Sequence, residues 1–209
     1  MPLRRISAYS YEQGLTLAEL LVVVVILGIT AAVGSVGLTS LTRRERLNAT
    51  ALEVSGWIEQ VRNQASNQIN QDDSLGGCTV SFNKSLVNAT AGVAIAALTT
   101  GSSCPNLSSS NLAVPSARSA KYNICSSSAT SCTASSSITD TQDIAFTPRG
   151  MIRATPSLGS SAIFEYRIVL SDGRGPKRCV RISDITGTVD IGYGSDSNLA
   201  SSCSTYGSL

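Results

Sequence analysis

The sequence predicts an α+β chain: one long N-terminal helix, with a transmembrane first half and an amphipathic second half, packed on an antiparallel β-sheet globular domain. Three observations predict this. An apolar run extends from Leu15 to Leu38. Apolar residues then recur at steps of three and four as far as Ile69, which is the helical period. Beyond Gly77 the pattern changes to short alternating segments separated by turn residues, the signature of strands.

The first fourteen residues are short and polar, with Arg4 and Arg5 near the start. From Leu15 to Leu38 every residue is apolar or small except Glu19. As a helix this run spans about 36 Å, enough for a hydrocarbon core of about 30 Å. Arg43, Arg44 and Arg46 stand at its far edge. A secretory signal would place a small-residue cleavage site after its apolar region. Ala31 and Ala32 imitate one only loosely, because the run continues past them. A plain signal anchor explains the hydrophobicity but gives no reason for Glu19. A charged side chain at the centre of a membrane helix costs about 2.5–3.5 kcal/mol on insertion scales, and less near its end. Such a charge is expected to have a function.

The stripe Leu47, Ala51, Val54, Ile58, Val61, Ala65 and Ile69 lies on one helix face, with Arg44, Glu45, Glu53, Glu59 and Arg62 mostly off it. The helix is therefore expected to run from about Leu15 to about Ile69 and to end at 72–77, a segment containing Gly76 and Gly77. Trp57, beside the stripe, reads as the edge of a core. The expected strands are Cys78–Phe82, Val93–Leu98, Lys121–Cys125, Asp143–Thr147, Ala162–Leu170, Lys177–Ile182 and Thr188–Ile191. Ser-rich stretches at 99–119 and 126–141 separate some of them, and their length calls for disulfide tethering or mobility.

A chain of 209 residues suits one domain with an attached segment. With a net charge of +2 and 14% charged residues, bulk electrostatics predict neither a nucleic-acid-binding nor a membrane-surface protein. There is no histidine, which removes the commonest general base and zinc ligand. Nor does any base accompany the serine runs, so neither an enzyme nor a metal or cofactor site is expected. The six cysteines, Cys78, Cys104, Cys125, Cys132, Cys179 and Cys203, include no C-x-x-C pair. With an export signal they read as three disulfides in an oxidising compartment. Fifteen pairings are possible. Proximity suggests Cys125–Cys132, with Cys179–Cys203 tying the tail and Cys78–Cys104 remaining.

The segment Gly14-Leu15-Thr16-Leu17-Ala18-Glu19-Leu20-Leu21-Val22-Val23-Val24-Val25-Ile26-Leu27-Gly28-Ile29 resembles the leader junction of type IV pilins and pseudopilins. The resemblance implies a pilin-like fold, in which a prepilin peptidase cuts after Gly14 and methylates the new terminus at Leu15. It also makes Glu19 the fifth mature residue, where the family carries glutamate. Leu15 stands where Phe is usual, Ala18 where a larger aliphatic is usual, and Val36 where a proline is often found. Cleavage would place a cationic amine at the end of an apolar helix, and a buried unpaired charge is costly. Glu19 could neutralise the amine of a docking neighbour, or pair with its own Leu15 terminus. The implied organisation is a leader at 1–14, a transmembrane half-helix at 15–38, an amphipathic half-helix at 39–70 and a disulfide-bearing β-rich domain at 71–209.

The run Ile144-Ala145-Phe146-Thr147-Pro148-Arg149-Gly150, followed by the expected strands at 162–170 and 177–182, resembles the C-terminal region of the GspH/FimT family of minor pilins and pseudopilins. Some FimT-like proteins bind DNA through a Gly-Arg-x-Arg motif. The matching strand here is Gly187-Thr188-Val189-Asp190, without either arginine. Arg174, Lys177, Arg178 and Arg181 lie nearby and could substitute, or could simply form a solvated sheet edge. Strand alternation turns Val180, Ile182, Val189 and Ile191 inward, and Lys177, Cys179, Arg181, Thr188 and Asp190 outward.

These resemblances imply a minor pilin or pseudopilin, a structural subunit that initiates or caps a type IV pilus or a type II secretion pseudopilus. It would be a single-pass inner-membrane protein with its domain on the extracytoplasmic side, entering a filament on assembly. Its partners would be other pilins or pseudopilins, the prepilin peptidase and an inner-membrane assembly platform. The alternative is a pilus-tip module that captures DNA during transformation.

Overall fold

The computed structural model of the chain describes residues 16–67, 77–99, 104, 109–115, 120–129, 132, 140–155, 163–183 and 187–208. Gly14, Leu15 and Ile69 lie outside the described residues. The chain divides into two compact units, 1–41 and 42–209.

The described part of the first unit is helical from Leu17 onward, within the uninterrupted helix α1 (Leu17–Ser66). Its large apolar side chains are exposed, from 48% for Val23 to 83% for Leu17. The helix is long and apolar enough to cross a membrane. Soluble monomers rarely expose contiguous apolar surface on this scale.

Among the described residues the second unit contains the rest of α1 and eleven strands: β1 (Cys78–Asn83), β2 (Ser85–Ala89), β3 (Ala94–Leu98), β4 (Asn111–Ala113), β5 (Tyr122–Ser126), β6 (Thr141–Phe146), β7 (Ile152–Thr155), β8 (Ile163–Leu170), β9 (Lys177–Ser183), β10 (Val189–Gly194) and β11 (Thr205–Ser208). They form two antiparallel sheets, ordered β4-β3-β1-β6-β7 and β11-β10-β9-β8-β5-β2. One core joins the helix to both sheets. The expected stripe supplies Leu47, Ala51, Val54, Ile58, Val61 and Ala65, all buried to within 1%. Full burial of each larger aliphatic among them stabilises the unit by about 1.5–3 kcal/mol. Thr50 and Ser55, also buried, return their hydroxyls to the helix carbonyls of Arg46 and Leu52, which satisfies groups that would otherwise be costly there. Trp57 is 7% exposed and donates its indole N–H to the Ser109 carbonyl at 3.2 Å. Phe82, Phe164 and Tyr166 form an aromatic cluster with centroids 5.1–5.8 Å apart.

The seven expected strands are present with ends shifted by a few residues, while β2, β4, β7 and β11 were not expected. The three disulfides join Cys78 to Cys104, Cys125 to Cys132 and Cys179 to Cys203, with Cα separations of 5.6, 5.5 and 6.1 Å.

The expected outward direction of Lys177 and Cys179 is corrected: both are fully buried. Alternation is intact, but the second face of β9 is not solvent-exposed, because the tail from 195 onward folds across it. The Cys179–Cys203 bridge and the Lys177 ammonium hold that tail in place. Glycine makes room for it. A Cβ at Gly192 would come within 2.9 Å of Tyr206 and Cys203 atoms, and one at Gly194 within 2.7 Å of the Lys177 side chain.

Candidate functional site

Two regions carry the residues singled out by the sequence: the start of the helix, and the end of the second sheet near β9 and β10.

At the helix start, Thr16 precedes the first helical residue, and Glu19 is three residues further on. The Thr16 amide donates to Glu19 Oε2 at 2.9 Å and the Thr16 hydroxyl donates to the same oxygen at 3.0 Å. In return the Glu19 amide donates to Thr16 Oγ1 at 3.3 Å. This is a reciprocal capping box, which satisfies two otherwise orphaned N–H donors at the apolar end of the helix. A carboxylate in the first turn also lies favourably in the helix dipole. The Thr-x-x-Glu spacing is legible in the sequence as a capping-box signal. Glu19 thus has a local partner of its own in Thr16.

At the other region, the turn after β6 and the entry to β10 meet. The Gly150 amide donates to the Thr147 carbonyl at 2.9 Å, closing the Thr147-Pro148-Arg149-Gly150 turn. Gly150 and Gly187 both have positive φ, 77° and 60°, where side chains other than glycine are strained. A Cβ at Gly187 would collide with the Gly150 carbonyl oxygen, and Arg62 of α1 lies beside both glycines. The 147–150 turn that carries part of the C-terminal resemblance and the segment where the Gly-Arg-x-Arg motif would lie are therefore in contact, and neither glycine can gain a side chain cheaply.

The basic residues nearby are largely occupied. Arg181 donates to Asp190 Oδ2 at 2.9 Å, across the β9–β10 register that places the two residues opposite each other. Its guanidinium also lies 3.7 Å from the centre of the Tyr206 ring. Arg178 donates to Asn48 Oδ1 of α1 at 2.6 Å and sits 4.6 Å over Tyr193. Burial lowers the Arg178 pKa, against a raising influence from Tyr193, but a guanidinium stays charged in proteins. Lys177 is enclosed by the carbonyls of Asn198 and Ser201, the Ser201 hydroxyl and the Asp196 carboxylate. Arg174 alone of the four is exposed, its amide bonded to Asp172. Thr188 is exposed just before β10. Between β5, β8 and the tail lies a cleft of about 630 Å³. Its Arg167 is already committed to Glu165 and to the carbonyls of Leu199 and Ala200.

Among the described residues no group of three or more His, Cys, Asp or Glu side chains could hold a metal ion. Residues 9–35 match the family model of the prokaryotic N-terminal methylation motif. No curated protein and no solved structure matches the chain. The motif, together with a long N-terminal helix and antiparallel sheet, supports assignment to the prepilin-like class of pilins and pseudopilins.

Proposed function

We propose that this chain is a minor pilin or pseudopilin of the GspH/FimT type that initiates or caps a type IV pilus or type II secretion pseudopilus. In this reading the leader is cut after Gly14, Leu15 is methylated, and residues 15–38 anchor the protein in the inner membrane with its domain outside the cytoplasm. Other pilins, the prepilin peptidase and an assembly platform are its partners. The observation that carries the reading is the exposed apolar helix, which bears the methylation motif and a single carboxylate at its tip.

Glu19 would serve twice: it caps its own helix through Thr16, and on docking it would neutralise the amine of a neighbouring subunit. The two roles separate chemically. Glutamine can take the third position of a capping box as glutamate does, but it carries no charge. Glu19→Gln, supplied as the sole copy, should therefore leave membrane insertion intact and still fail to support normal filament assembly, as Glu19→Ala should. Normal piliation or secretion with Glu19→Gln would show that capping suffices and would remove the charge-pairing role.

A further inference from the structure

Resting on the anchored reading above, we propose that the start of the globular unit holds a site for the phosphodiester head group of an anionic phospholipid in the outer leaflet. A cavity of about 320 Å³ opens beside α1, lined by Arg43 and Arg46 of the helix, Lys121 before β5, Leu170 at the end of β8, and Ser171 and Asp172 after it. Arg43 is committed to Asp172, 3.1 Å away. That pair cancels the only carboxylate in the lining and leaves Arg46 and Lys121 with no ion-pair partner among the described residues. The cavity therefore presents two uncompensated cations around a recess, with the Ser171 hydroxyl and the apolar Leu170 beside them.

Position in the chain supplies the ligand. Arg43 and Arg46 follow Leu38, the end of the apolar run, by five and eight residues, and residues in the first turns beyond a span meet the head groups. Basic residues in such places are expected on the cytoplasmic side, and three arginines on the translocated side oppose that rule. Their retention there is understandable if they have an anion to meet. A phosphodiester accepts from several donors at once, which suits a guanidinium and an ammonium converging on one recess. Lys121 contributes from the sheet, far away in sequence, so the site exists only when the domain is folded. Its occupancy would hold the domain against the membrane before assembly.

Lysine acetylation reads the site directly, because the chain has only Lys84, Lys121 and Lys177. Lys177 is buried and Lys84 is paired with Asp140, so they serve as internal references. The full chain, one copy per nanodisc, would be treated with an activated acetyl ester in phosphatidylcholine discs and in discs containing phosphatidylglycerol. Acetylation of Lys121, followed by peptide mass spectrometry, should slow at least roughly five-fold in the anionic discs, with Lys84 affected less. Arg46→Gln, which keeps a good helix former at that position, should abolish the difference, and Arg174→Gln, outside the cavity, should preserve it. Equal slowing at Lys84 and Lys121, a difference that survives Arg46→Gln, or no difference would overturn the proposal. Matching protection by soluble glycerophosphoglycerol in phosphatidylcholine discs would overturn the lipid in favour of a free phosphodiester. A chain that enters neither disc would instead overturn the anchored reading itself.

Discussion

The Lys177 ammonium donates a 2.7 Å hydrogen bond to the carbonyl of Asn198, twenty-one residues further along the chain. The carbonyl and hydroxyl of Ser201 accept from the same ammonium, and Asp196 lies 3.2 Å away. A fully buried lysine thus acts as the internal cation around which the tail loop is folded. Burial of an ammonium is costly unless it is paired and hydrogen-bonded, and here four oxygens meet that need.

Lys177→Met should therefore loosen this loop more than the rest of the domain. The expected loss is about 1.5–3 kcal/mol, the worth of one hydrogen bond to a charged donor, read from the urea midpoint of the detergent-solubilised chain. Amides from 195 to 203 should lose hydrogen-exchange protection, while those of β1 and β6 keep theirs. The Asp196 carboxyl is held below its ordinary value of 3.8, chiefly by the Lys177 hydrogen bond and then by the Asn198 amide. Its contribution is therefore present above that value and lost as pH falls through the lowered one. Wild-type loop protection should persist to about pH 4 and fade below it. An unchanged midpoint with unchanged exchange in Lys177→Met would contradict the account of the tail.

Much of the architecture was legible because it rests on periodicity. The helix stripe from Leu47 to Ala65 and the seven expected strands declare themselves through spacing and apolar composition. The missed strands lack that signal. β4 has three residues, β7 four, and β11, Thr-Tyr-Gly-Ser, has no aliphatic residue. β2 breaks alternation, with Ser85 and Leu86 both buried and Asn88 at a positive φ of 54°. Their pairing is dictated by neighbouring strands, which one segment cannot reveal. The direction of Lys177 failed for a related reason. Alternation says which residues share a face, but not whether a distant tail covers that face. At the helix tip the signal is present in the sequence, because Thr16 and Glu19 have capping-box spacing.

Nucleic-acid binding should be weak. Arg181 is held between Asp190 and Tyr206, Arg178 is engaged with Asn48 and Tyr193, and Lys177 is enclosed. Phosphate contacts supply most non-specific affinity for DNA, and these cations are already committed within the domain. Titration of duplex DNA by fluorescence anisotropy at two salt concentrations should give a Kd no tighter than ~10⁻⁴–10⁻⁶ M at physiological salt. Thr188→Arg with Asp190→Arg adds two cations and releases Arg181, and should strengthen binding and steepen its salt dependence. Submicromolar binding by the wild type that collapses on Arg174→Ala or Arg181→Ala would make DNA capture the leading function.

The central claim is that this chain matures as a prepilin, and the N-terminus of the protein recovered from its native membrane tests it most directly. Intact-mass and N-terminal peptide mass spectrometry should find N-methyl-leucine at Leu15, with residues 1–14 absent, and Gly14→Ala should remain uncut. An N-terminus at Met1, or one created after Ala32, would contradict the account.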